Sequence, residues 1–169
     1  IFLNFKNYYE TIYLQSIIII FLIIFFIDLK HFIIPDILNF IFIFLAFIKN
    51  FNTSFESNFN YDLNHSIIGG ILGYLVIWSI IFIYKKIKNI EAMGLGDAKL
   101  MVGVGVLFGW QSIFIILFIA ALLGLIFALP YLIKSTKNLK TKIPFGPFII
   151  LSTIIYYFNG SFLINLILL

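Results

Sequence analysis

The chain has 169 residues, of which 63% are hydrophobic and only 11% charged, with a net charge of +4 and a mean hydropathy of +1.14. A soluble domain carries about 25% charged residues, so this composition excludes an ordinary soluble protein and predicts an integral membrane one. The positive charge is no argument for a nucleic-acid partner, because the lysines fall at the ends of apolar runs, where membrane topology puts them. The absence of cysteine removes disulfides and thiolate metal sites.

A membrane-crossing helix takes about 20 apolar residues. Six runs of roughly that kind predict an all-α, polytopic membrane helix bundle of about six transmembrane helices. They are residues 11–27, 37–51 (after Pro35), 66–84, 92–109, 112–133 and 147–169, the last with Asn159-Gly160 as a break or early end. The first run does not read as a signal peptide, since no cleavage site is present and "FFIDLKHFIIPD" follows. The loop 50–65, rich in Asn and Ser, has soluble character. A single domain over 1–169 is expected, beginning at Ile1 rather than Met as a fragment or processed product does.

The basic residues test this division. Lys30 follows the first run; Lys85, Lys86 and Lys88 follow the third; Lys99 opens the fourth; Lys134, Lys137, Lys140 and Lys142 follow the fifth. The other side holds only Lys6 and Lys49, with Glu10, Glu56 and Asp62. Alternate connections are thus basic, which places 28–36, 85–97 and 134–142 in the cytoplasm and the termini outside. Gly69 and Gly73, Gly105 and Gly109, and Ala120, Gly124 and Ala128 have the small-residue spacing of close helix packing in lipid.

Two carboxylates stand out. Asp28 ends the first run and Asp97 opens the fourth, so parity puts both at the cytoplasmic side at similar depth. To reach spanning length the fourth helix must start near Ala92, which draws Asp97 into the membrane's edge. Ionisable groups there face a bundle interior or a wet cavity. Gly94 and Gly96 permit unusual backbone angles and close approach of another segment, so the stretch "EAMGLGDAKL" predicts a wet, backbone-accessible notch. Taken singly, each aspartate has a plainer reading: Asp97 as a helix cap, Asp28 as an interfacial residue beside a snorkelling Lys30. Asp36, after Pro35, reads as a helix start. The pair at matched depth points to function.

Two facing carboxylates share a proton, one serving as base toward water and the other as acid toward the leaving group. Other chemistries lack parts: His31 and His65 are the only histidines and fall on opposite sides, and no serine is obvious near His31. A proton- or cation-coupled transporter could use the same carboxylates as relays, although no similarity between halves supports it. A non-catalytic assembly subunit leaves the glycine notch unexplained.

"IDLKHFIIPD" at 27–36, "MGLGD.K" at 93–99 and "IPFGPF" at 143–148 resemble, in order and spacing, the signatures of the type IV prepilin peptidases, membrane aspartic peptidases of the GxGD kind. The resemblance covers nearly the whole chain. It implies Asp28 and Asp97 as the catalytic pair, no metal and no cofactor. Gly94, Gly96, Lys99, Pro35, Asp36, Pro144 and Gly146 would shape the site. It also implies a multi-pass protein of the inner (plasma) membrane, cutting the leader of a type IV prepilin or pseudopilin at the cytoplasmic face. The cysteine-containing N-terminal segment that many bacterial members link to methylation is not seen, so methyl transfer is not expected. Pro144, Gly146 and Pro147 would make a fixed bend, or simply a helix start, where the last span enters.

Overall fold

The computed structural model describes residues 8–51, 63–88, 93–134 and 143–168. The expectations for the 50–65 loop and the 134–142 connection fall largely, and those for the lysines at 6, 137, 140 and 142 wholly, outside these residues; of the expected 85–97 connection, 89–92 lie outside, while 85–88 continue α3 rather than leave it. The described segments form six helices: α1 Tyr8–His31, α2 Asp36–Phe51, α3 Leu63–Lys88, α4 Leu95–Phe108, α5 Trp110–Lys134 and α6 Gly146–Leu168. The all-α bundle of six helices is the fold expected from the sequence. Among the described residues, three helices (α1, α3 and α5) are long and apolar enough to cross a membrane.

Two of the others are short. α2 has 16 residues and α4 only 14. At about 1.5 Å per residue, α4 rises roughly 21 Å, well under the 30 Å or so of a hydrocarbon core. The expected start near Ala92 is therefore incorrect. The helix begins at Leu95, because Gly94 is extended at φ −83°, ψ 150°. The expected break at Asn159-Gly160 is also incorrect, since α6 runs through both. Asn159 there donates its side-chain amide to the Ile155 carbonyl, one turn back, at 3.2 Å.

α4 is short because it is the axis of the bundle rather than part of its wall. It packs against α2, α3, α5 and α6, and its residues from Asp97 to Phe108 are buried save Lys99 and Val102. A helix apolar all round belongs in such a position. Its closest partner is α3. A side-chain carbon at Gly69 would strike the backbone of Gly105, and one at Gly105 the backbone of Gly69. The small-residue spacing thus produces backbone contact, as packing in lipid requires. α4 ends at Gly109, whose φ of 75° and ψ of 175° suit glycine alone, and α5 starts at the next residue. α1, α3 and α5 present exposed Ile, Leu, Phe and Trp outward, among them Ile19, Phe26, Ile71, Phe82, Phe118 and Ile126, as a lipid-facing surface would.

Candidate active site

The site is built where the helix starts of α2, α4 and α6 meet the end of α1. α1 terminates at His31, and the Phe32 N–H returns to the Asp28 carbonyl at 2.9 Å. Phe32 closes the helix with φ at +57°, a left-handed conformation that costs a side-chain-bearing residue roughly 1–2 kcal/mol. The chain then turns through Ile33 and Ile34 to Pro35, whose carbonyl accepts from the N–H groups of Leu38 (3.1 Å) and Asn39 (3.3 Å) and so opens α2. Asp36 is the first residue of α2, the helix start that its sequence predicts.

Ile34 fills the space between two other helix starts. A Cβ on Gly96 would lie 2.9 Å from the Ile34 Cβ; one on Gly146 would lie 2.9 Å from its Cδ1 and 2.6 Å from Asp28 Oδ2. Both glycines are therefore fixed by close approach, not by backbone angle. At α6, the first-turn N–H groups have no partner within the helix. Pro147 lacks one, where the lack costs nothing. Gly146 donates its own to Asp28 Oδ2 at 3.1 Å. Of the two readings of "IPFGPF", a fixed bend or a helix start, the helix start is at Gly146; neither foresaw the backbone donor that it delivers to a carboxylate.

Asp97 is held in a parallel way. Its Oδ2 accepts from the Gly94 N–H at 3.2 Å, and its N–H donates to the Gly94 carbonyl at 3.2 Å. Asp28 and Asp97 are buried, with 4% and 6% of their surface exposed. Each keeps one oxygen, Oδ1, that accepts no hydrogen bond among the described residues.

Both aspartates line one cavity of about 500 Å³. Its polar wall also includes Asp36 and Lys99, joined by an ion pair at 2.7 Å. Gly94, Gly96 and Pro144 border it, whereas Gly146 reaches it through Asp28 and Pro35 through the turn it starts. Its rim is apolar, with Phe32, Ile33, Leu95 and Ile143 exposed. The arrangement offers two carboxylates, each anchored through one oxygen, in a water-accessible recess with a greasy mouth.

Sequence reading missed Asn39. It is 1% exposed and donates its amide to the Gly96 carbonyl at 3.3 Å, tying α2 to the glycine turn of α4, while its Oδ1 has no partner. A lone polar residue one turn into an apolar helix was the available signal. Ile34 carried none.

Comparison with known proteins gives the family of the chain. The profile of the type IV leader peptidase family matches residues 16–129. A prepilin leader peptidase/N-methyltransferase of Legionella pneumophila is 34% identical over 140 residues, 83% of this chain and 47% of that protein. The protein of that name from Pseudomonas aeruginosa is 31% identical over 123 residues, 73% of this chain and 41% of the relative. One from Aeromonas salmonicida is 37% identical over 76 residues, 45% of this chain and 26% of the relative. The chain thus spans about a quarter to a half of the length of these relatives. No solved structure matches it. With the profile covering well over half of its residues, the chain belongs to the type IV leader peptidase family.

Proposed function

We propose that this chain is an aspartic endopeptidase that removes the leader from a type IV prepilin or pseudopilin at the cytoplasmic face of the membrane, with Asp28 and Asp97 as the catalytic pair. The observation that carries the reading is the shared cavity: two buried carboxylates, each anchored by a glycine N–H, in one recess. The family and its prepilin-cleaving relatives support the substrate class. The basic connections support the cytoplasmic side.

In this mechanism one carboxylate is ionised and the other protonated. The ionised member takes a proton from water as the water oxygen bonds to the scissile carbonyl carbon. The protonated member donates to the carbonyl oxygen. Collapse breaks the C–N bond: one hydroxyl of the diol returns its proton to the member that donated one, and the proton taken from water passes to the leaving amine. The anchors at Oδ2 leave each Oδ1 to face water and substrate. The apolar rim of Phe32, Ile33, Leu95 and Ile143 suits a peptide whose hydrophobic segment begins close to the cut.

A transport relay gains no support. The residues one turn further in, Ile24 from Asp28 and Met101 from Asp97, are fully buried and apolar, as are Phe42 and Val104 of the same core. The test of the proposal is cleavage of a prepilin-like peptide by the purified chain in detergent. Release of the leader at a single bond supports it, and an intact peptide at every pH tried counts against it.

A further inference from the structure

The glycines of the site are not equivalent. Gly96 and Gly146 are glycines because Ile34 and Asp28 leave no room for a Cβ. Gly94 has no such reason. Its backbone, at φ −83° and ψ 150°, is one that any residue adopts. A Cβ built on it would meet only Asp97 Oδ2 and the Gly96 nitrogen, both at 3.8 Å, an ordinary contact. Gly94 also occupies the cap position of α4, where Ser, Thr, Asp or Asn serves at least as well as glycine; having no side chain, it bonds no first-turn N–H itself, and the one side chain at this helix start is that of Asp97, reaching back to the Gly94 N–H. Within the ligand-free chain, the missing side chain at Gly94 does nothing.

The empty volume lies on the exposed side of Gly94, in the cavity that holds both aspartates. We propose that this space seats the main chain of the substrate at its scissile bond, so that an extended peptide can lie flat against the Gly94 backbone beside Asp97. An extended chain needs contact along its edge, and a Cβ at Gly94 would lift it off the carboxylate. The seat selects for backbone rather than side chain. The inference rests on the peptidase reading and gives it a specific contact.

The test compares wild type, Gly94→Ala and Gly94→Ser as the whole chain in detergent. Three quantities are measured: thermal stability, affinity for a non-hydrolysable prepilin-like peptide, and the kinetics and pH profile of cleavage. Ser is the better helix cap, so Gly94→Ser is expected to match or exceed the wild-type melting temperature. Both variants are expected to bind the peptide about tenfold or more weakly and to raise KM in proportion, with the pH profile of kcat unchanged. Wild-type affinity in both variants overturns the seat. So does a shifted pH profile with unchanged KM, which would mean that the substitution acts through Asp97. A fall in melting temperature in both variants assigns Gly94 a structural role and overturns it too. A wild-type chain that binds the peptide without cutting it defeats the peptidase reading, while the affinities of the variants still decide the seat. Failure of the wild type to bind at all removes both.

Discussion

Gly146 donates its backbone N–H to Asp28 Oδ2 at 3.1 Å, across 118 positions of sequence. The start of α6 is thereby coupled directly to a carboxylate at the end of α1. Replacing Gly146 with Ala introduces a carbon 2.6 Å from that oxygen, so Asp28 or α6 must shift. Misplacement of a reacting group by an ångström can cost on the order of 100-fold in rate. Gly146→Ala is expected to lower kcat by about ten- to a hundredfold with a modest loss of thermal stability, read from steady-state kinetics and melting curves on the same preparation. Full activity would show that the contact is not part of the site.

Asn39 holds the Gly96 carbonyl from α2. Asn39→Ala removes the donor and leaves a small void, costing about 1–3 kcal/mol of stability. The loosened turn bears Asp97, so kcat/KM is expected to fall roughly tenfold. Asn39→Ser, which retains a donor, is expected to recover part of both. Identical losses in the two variants would mean that packing alone is at stake.

The Asp36–Lys99 ion pair is partly open to solvent, with the Asp36 side chain 59% exposed. Pairs of this kind contribute about 0–1 kcal/mol and are screened by salt. Asp36→Asn is therefore expected to keep substantial cleavage and a near-normal melting temperature. Complete loss of activity would make Asp36 part of the chemistry.

The α3–α4 contact is tested away from the site. Gly105→Ala forces a carbon into the Gly69 backbone and is expected to destabilise the bundle by about 1–3 kcal/mol or more. Gly124→Ala meets only the Phe148 ring, at 3.5 Å, and is expected to be tolerated. Equal melting temperatures would contradict the contact.

The long apolar runs made the helices legible, and the Pro35-Asp36 step gave the start of α2 to within one residue. The start of α4 was misjudged because the run was expected to span the membrane alone. An axial helix screened by four neighbours has no need to, and its shortness leaves the recess at its N-terminal end. Asp28 and Asp97 were visible as carboxylates in apolar context, an expensive placement. Asn39 and Ile34 were not, because their roles depend on which helix starts converge, and convergence across 57 positions (Asn39 to Gly96) leaves no local pattern. The glycines were visible as a group. Only close packing separates Gly96 and Gly146, fixed by contact, from Gly94, which is not.

The central claim is that Asp28 and Asp97 act as one unit, and the most direct measurement is leader cleavage by Asp28→Asn, Asp97→Asn and the double variant in detergent. Asn keeps the size of the side chain but cannot hold the shared proton. Each single variant is expected to abolish cleavage, and the double is expected to be no worse than either, because groups acting together are strongly non-additive. All three are expected to reach the membrane, since removing a charge does not oppose insertion. Near-normal cleavage by either single variant would contradict the account and return that aspartate to a structural role.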